Sequence, residues 1–201
     1  MAKRIGFIGY GLRSRTMMQA FRALEADVRV VAIVDPRAEE IRQEIAADPY
    51  FERVSFYDTA ASMLASASLD GVFIGTRCSL HTPLAIQVLN SGLPLFLEKP
   101  VCISPEQYER LAAAAKGRES RVLVSFPLRL TAVAQAMKRV VDAGTLGRIT
   151  MVQAINNVPY GSVYYHSWYR DANETGGLFL QKMTHDIDYI HYLIGEVPVD
   201  A

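Results

Sequence analysis

The sequence predicts an α/β fold: a doubly wound parallel sheet over roughly the first 120 residues, then the beginning of an α+β domain. Three observations carry this. Short runs rich in Val, Ile, Leu and Phe recur along residues 4–126 and are apolar throughout, as strands covered on both faces are. Helix-compatible stretches separate them, bounded by caps, prolines and glycines where helices start and stop. After Phe126 that regular alternation ends.

The elements follow in order. "RIGFIG" is an apolar run ending in glycine, and Leu12 to Leu24 are helix-compatible. "VRVVAIVD" is a β-branched strand that ends at Asp35, and Pro36 suits the first turn of the next helix, "PRAEEIRQEIAA". "LDGVFIGT" makes another buried strand. A helix is expected from about Thr82 to Asn90, with Gly92 as its stop. Leu93 to Leu97 form a strand that runs straight into Glu98-Lys99-Pro100. Ser104, Pro105 and Glu106 then open the helix "SPEQYERLAAAAKG" with cap, proline and acid in their favoured places. "RVLVSF" completes the series.

Beyond it, Leu130 to Ala143 predict a helix stopped by the glycines of "AGTLG". "RITMVQAINNV" alternates and predicts a longer, half-exposed strand. A loop rich in Tyr, Ser, Asn and Gly follows. "THDIDYIHYLIG" predicts a helix closed by Gly195. One strand and two helices do not make a self-sufficient domain, because a lone strand leaves two unpaired edges. The second domain is therefore expected to be truncated.

Composition narrows the function. Lysine plus arginine and aspartate plus glutamate balance at 21 each, which gives no electrostatic footprint for nucleic acid. No apolar stretch approaches the roughly 20 residues that span a bilayer. The start, "MAKRIGFIGYG", carries no signal-peptide pattern. Cys78 and Cys102 offer neither a disulfide framework nor a metal spacing. A cytoplasmic location, no membrane, no nucleic acid and no metal are the expectations.

"GFIGYGLRS" places Gly9-x-Gly11-x-x-Ser14 between the first strand and the first helix. Gly9 allows the tight turn, and Gly11 lets backbone approach a pyrophosphate at the helix N-terminus. Ser14 replaces the third glycine and is small enough for close helix–strand packing. Asp35 ends the second strand about 20 residues on, where an acid takes the ribose hydroxyls of NAD and repels a 2′-phosphate. Arg37, just beyond it, suits NADP. NAD is expected, with NADP the alternative.

Taken together, "GFIGYGLRS", "VVAIVD", "DGVFIGTRCSLHTPLAIQVLNSG", "LFLEKP", "FPLRL" and "GGLFLQKMTHDIDYIHYLIG" resemble the Gfo/Idh/MocA family of sugar and polyol oxidoreductases. The resemblance covers essentially the whole chain. It implies an NAD(P)-binding Rossmann domain at 1–122 and part of a C-terminal α/β substrate and oligomerisation domain at 123–201. It implies a sugar or polyol substrate and a homo-oligomer, a dimer or tetramer.

The resemblance also assigns roles. Lys99 becomes the catalytic acid/base, with a Lys99–Pro100 bond that is commonly cis in the family. A free lysine, of pKa about 10.4, accepts a proton poorly at neutral pH; desolvation and an oxidised nicotinamide would both lower that value. His185, at or just before its helix, corresponds to a histidine that reaches the substrate hydroxyl. Many relatives carry an aspartate four residues earlier, where this chain has Gln181, which can orient a hydroxyl but cannot take its proton. Lys182 stands beside it. Cofactor contacts are expected from Gly9, Tyr10, Gly11, Leu12, Arg13, Asp35, Arg37, Thr76, Arg77, His81, Glu98 and Lys99. His81 reads equally well as a packing residue. Substrate contacts are expected from Lys99, Arg129, Trp168, Arg170, Gln181 and His185, with Tyr165 and His166 as further lining. Pro127 replaces an asparagine common two residues before Arg129. Asp186 and Asp188 read as helix-start charges, and His191 as core or surface.

Three functions remain on these grounds. The first is an NAD(P)-dependent dehydrogenase acting on a secondary alcohol of a sugar, inositol or similar polyol. The second is a glycosidase of the same family that uses bound NAD transiently. The third is a non-catalytic NAD(P)-binding regulator.

Overall fold

At the centre of the first unit, β1 (Lys3–Ile8) lies between β2 (Val28–Val34) and β4 (Gly71–Ile74) in a six-stranded sheet. β3 (Ser55–Phe56), β5 (Leu95–Leu97) and β6 (Val122–Val124) complete the order β3-β2-β1-β4-β5-β6, and every pairing is parallel. The computed structural model describes residues 2–24, 27–159 and 161–198. By contact density it divides into Met1–Val124 and Ser125–Ala201. Among the described residues no helix is long and apolar enough to cross a membrane.

Side chains alternate across the strands, and helices cover both faces. Phe7, Ile33 and Phe73 point to one face, where Met18 of α1 (Leu12–Ala23) and Ile41 and Ile45 of α2 (Ala38–Ile45) pack on them. Ile8, Ala32, Val72, Ile74, Leu95 and Leu97 point to the other. There they meet Met63 of α3 (Ala60–Ser66), Val88 and Leu89 of α4 (His81–Ser91), and partly buried Leu111 of α5 (Pro105–Ala115). The doubly wound sheet expected from the sequence is present.

Local chemistry sets most boundaries. Ser104 accepts from the Gln107 N–H at 3.3 Å, with Pro105 in the first helical position of α5. Gly92 closes α4 in the left-handed conformation, φ 79°, which costs glycine nothing sterically. Pro36 differs from expectation. It lies in a turn ahead of α2, whose first helical residue is Ala38. Asp35 accepts the Arg37 N–H at 2.9 Å, and this side-chain turn precedes the helix. β3 and α3 had no strong sequence signal. β3 is two residues long, and α3 starts from a reciprocal cap between Thr59 and Ser62.

The second unit is helical among its described residues: α6 (Ala132–Asp142), the single turns α7 (Val163–His166) and α8 (Ala172–Thr175), and α9 (Leu178–Ile194). Gln135 of α6 donates to the Tyr192 hydroxyl of α9 at 2.8 Å. Two expectations are corrected here. Residues 148–158 form no strand. Ile149, Met151 and Ile155 are exposed, and alternation cannot make a ladder without a partner strand. The last helix begins at Leu178, after Gly176 (φ 73°) and Gly177 (φ 92°), not near Thr184. Thr184 resembles a cap in sequence, but its hydroxyl donates back to the Leu180 carbonyl inside the helix. His185, Asp186 and Asp188 are therefore mid-helix residues.

Phe73 is 1% exposed, with ring centroids 4.8 Å from Phe7 and 5.1 Å from Phe96. Phe73→Ala is expected to cost about 3–5 kcal/mol. A lower urea midpoint with an unchanged slope would register it.

Candidate cofactor and active site

The β1–α1 turn is built around a close approach to β4. Gly9 has φ 81°, and a Cβ there would stand 2.8 Å from Thr76 Cγ2 and 3.0 Å from the Gly75 backbone. Gly11 differs, since a Cβ on it would meet nothing within 4 Å. Ser14 is fully buried and its hydroxyl donates to the Gly9 carbonyl at 2.6 Å. The space that a third fingerprint glycine would give is supplied opposite, by Gly75. A Cβ on Gly75 would lie 2.6 Å from Ser14 Oγ and 2.6 Å from Phe73. The departure at Ser14 is thus offset within the same contact.

α1 starts at Gly11 without a side-chain cap and without an acid in its first turn. Arg13 stands in that turn, and Leu12 is 81% exposed. The positive end of the helix dipole has no side-chain cap and no acid beside it, which suits a pyrophosphate. The cradle fits a dinucleotide.

Asp35, at the end of β2, is 6% exposed at its side chain. Its Oδ2 accepts the Tyr10 N–H at 2.7 Å and Arg37 Nη2 at 3.3 Å, and its Oδ1 accepts the Arg37 N–H and Nε at 2.9 and 3.2 Å. Burial pushes its pKa up, but the backbone bonds from Tyr10 and Arg37 and the guanidinium outweigh that and hold it below the usual value. Tyr10 turns its side chain inward, 3% exposed. Burial above all, against the lowering charge of Arg15, pushes its phenol up to about 12. What Tyr10 offers the loop is backbone.

At the carboxyl ends of β4 and β5, Glu98 is buried and Arg13 donates to its Oε1 from Nε and Nη2 at 3.1 and 3.0 Å. Lys99 follows, half-buried, with a cis bond to Pro100. Thr76 is half-buried and Arg77 exposed. His81 is 1% exposed. Its Nδ1 lies 2.7 Å from the Pro100 carbonyl and its Nε2 3.2 Å from the Thr76 carbonyl. Burial drives its pKa down, against the two carbonyls that favour the cation. His81 therefore ties two loops together, and its side chain presents almost no surface to a ligand.

In the second unit, Arg129 forms a two-pronged pair with Asp188, and its guanidinium lies 5.6 Å from the Phe126 ring and 5.5 Å from Tyr192. The hydrogen bond it donates to Asp188, against burial, raises the Arg129 pKa. Asp188 is the partner of Arg129, which corrects its reading as a helix-start charge. Gln181 is buried, and His185, one turn on, sits edge-on to Phe126 at 6.1 Å. The Lys182 ammonium pairs with the Tyr164 hydroxyl. Trp168 stacks on Tyr169 at 4.1 Å, while Tyr165, His166 and Arg170 are exposed. His191 helps line a 320 Å³ groove along α9 with Phe126, Leu180 and Ile187.

The pattern of an oxidoreductase family with an NAD-binding Rossmann fold matches residues 3–126, and that of the Gfo/Idh/MocA C-terminal domain matches 134–201. The chain belongs to the Gfo/Idh/MocA oxidoreductase family.

Inositol 2-dehydrogenase of Rhizobium meliloti is 27% identical over 201 residues, which is 100% of this chain and 58% of that protein. The crystal structure of myo-inositol 2-dehydrogenase from Lactobacillus plantarum is similar in fold, with TM-score 0.82 and 23% identity over 99% of this chain and 58% of that one. The WlbA dehydrogenase of Bordetella pertussis, in complex with NADH and UDP-GlcNAcA, gives TM-score 0.78 and 25% identity over 98% of this chain and 61% of that one. The chain thus spans about three-fifths of the length of these Gfo/Idh/MocA relatives.

The pairs Ser14–Gly75, Arg13–Glu98 and Arg129–Asp188 leave no mark in the sequence. The residues of each stand far apart in the chain, and one sequence holds no signal that joins them.

Gly75→Ala is expected to destabilise the protein by about 1–3 kcal/mol. Adding Ser14→Gly should recover part of that loss in a double-mutant cycle by denaturant melts. His81 gives a pH dependence. Its folded pKa lies below the unfolded value of about 6.5, so below that pH the unfolded chain binds a proton that the folded chain refuses. Its stabilising effect is present above about pH 6.5 and is lost as pH falls toward the folded value. Thermal melts between pH 7.5 and 5.5 should show a fall in Tm that is shallower in His81→Gln.

Proposed function

We propose that this chain holds NAD(H) in its first unit. We further propose a dehydrogenase that moves a hydride between nicotinamide and a secondary alcohol of inositol or a related polyol. One observation carries the reading. The uncapped glycine turn, the Asp35 carboxylate and the Glu98-Lys99-Pro100 stretch all lie at carboxyl ends of parallel strands, around the β1/β4 switch point. Open α/β sheets bind dinucleotides there. Relatives named as inositol dehydrogenases support the polyol class.

In this reading the α1 N-terminus, Gly11 and Arg13 hold the pyrophosphate, and Asp35 takes the adenosine ribose. Thr76 and Arg77 border the cofactor. The bound nicotinamide supplies the hydride acceptor. Lys99 takes the hydroxyl proton at Nζ, a role worth about 10² to 10⁴ in rate. Gln181 can donate to or accept from a hydroxyl but has no titrating proton. Proton uptake therefore falls to Lys99, with His185 as a second group that touches the substrate hydroxyl. Arg129, Trp168 and Arg170 contribute on the substrate side. A cytoplasmic homo-oligomer goes with this reading.

The test is calorimetric titration with NADH, followed by absorbance assays with NAD and myo-inositol. NADH should bind, and Lys99→Ala should keep that binding while turnover drops by about 10²- to 10⁴-fold. Absence of NADH binding, or turnover untouched by Lys99→Ala, would refute the assignment.

A further inference from the structure

The backbone on both sides of Lys99 is held by groups far from it in sequence. Before it, the Glu98 N–H donates to the Ile74 carbonyl at 3.1 Å, and the Glu98 carboxylate accepts from Arg13. After it, two consecutive carbonyls are met by two consecutive residues in the first turn of α4. The Pro100 carbonyl faces His81 Nδ1 at 2.7 Å, and the Val101 carbonyl accepts from the Thr82 hydroxyl at 2.9 Å. Two residues further on, the Ile103 N–H donates to Gln107 Oε1 of α5 at 3.0 Å.

Burial gives the two contacts from α4 their weight. His81 is 1% exposed and Thr82 is fully buried. Water is not at hand there to replace a lost donor, and a buried carbonyl left unpaired is costly. Relief comes only if the carbonyl turns toward another donor or toward solvent, and either movement carries the backbone of residues 99–101 with it. The packing of α4 on the sheet does not call for these groups, since Ala85, Val88 and Leu89 supply it. The Thr82 hydroxyl holds the Lys99 loop in addition.

We infer that Thr82 and His81 are positioning residues for Lys99, an inference that rests on the dehydrogenase reading above. Both are too buried to touch a ligand. They act through the Pro100 and Val101 carbonyls on the backbone from which the lysine side chain starts. A proton acceptor works only within hydrogen-bond reach of the alcohol, about 2.6–3.2 Å. A displacement of about 1 Å can cost about a hundredfold in rate. The lysine stem is long and flexible, so a fixed starting point removes the part of that displacement that the fold can control.

The test uses Thr82→Val and Thr82→Ala, which lack the hydroxyl, and Thr82→Ser, which keeps it. Turnover is measured with NAD and myo-inositol, NADH binding by calorimetry, and amide hydrogen exchange over residues 98–103 in the unliganded chain. Thermal melts check that each variant folds. Thr82→Val and Thr82→Ala should turn over about ten- to a hundredfold more slowly, with NADH affinity and the KM for myo-inositol unchanged. Exchange over 98–103 should be faster in both, and Thr82→Ser should restore rate and protection together. Combined with Lys99→Ala, neither should slow the residual turnover further, because the two residues act through one group. Wild-type rates in Thr82→Val and Thr82→Ala would overturn the inference, as would a slowing that persists in full beside Lys99→Ala or that Thr82→Ser shares. Unfolding of both variants would make the hydroxyl a requirement of the fold and overturn it too. A wild-type chain that binds no NADH, or oxidises no myo-inositol, would overturn the dehydrogenase reading and the positioning role with it.

Discussion

The turn from β1 into α1 has to pass so close to β4 that no side chain fits between them. Gly9, at φ 81°, lies against Gly75 and Thr76, and Ser14 fills the small space left at Gly75. This approach brings the N-terminus of α1 to the switch point of the sheet, where the helix starts without a side-chain cap. It also fixes the Tyr10 N–H where Asp35 can accept it, at 2.7 Å. The loop at the end of β2 is thereby locked to the loop at the end of β1. A wider turn would lose the uncapped helix start at this place and the Tyr10–Asp35 bond together, since one contact sets both.

Around that turn the buried acids follow one pattern. Asp35 and Glu98 are nearly inaccessible, and each is paired with an arginine, Arg37 or Arg13, whose side chain is about half exposed. A buried carboxylate without such a partner would bear the full cost of its lost hydration. The half-exposed guanidinium keeps part of its own hydration, which lowers the cost of making the pair and of breaking it. Both pairs lie at the carboxyl ends of the strands, where the guanidinium is the more accessible member of each.

The sequence made the first unit legible because its signals are local. Gly92 as a stop, Ser104 with Pro105 as a start, and Gly9 before an apolar strand each act within a few residues. Asp35 was legible too, as an acid at a strand end after a glycine turn. In sequence Arg37 suggests an NADP ligand, and only the fold shows it bonded to Asp35. His81 was read as a cofactor contact or as packing, and only the fold brings the Thr76 and Pro100 carbonyls to its ring. In the second unit the alternation of residues 148–158 tells which side chains share a face. It does not say whether another strand is available to pair with. The start of α9 was misplaced because Thr184 and Asp186 imitate a cap, whereas the true boundary is the pair of left-handed glycines at 176 and 177.

His81 shows how the loops after β4 and β5 are held in register. A neutral imidazole has one N–H, yet both ring nitrogens face carbonyl oxygens. A proton on Nδ1 would serve the shorter contact, 2.7 Å to Pro100. The Nε2 lone pair is then left opposite the Thr76 oxygen at 3.2 Å, which repels it weakly. The cation would satisfy both carbonyls, but burial opposes it more strongly. A neutral ring therefore donates to one of the two loops and lies against the other, and neither tautomer donates to both carbonyls. A glutamine has both a donor and an acceptor but lacks the flat, rigid reach between them. The spacing of the loop that carries Lys99 from the loop that carries Thr76 thus depends on an aromatic ring of this size, kept neutral.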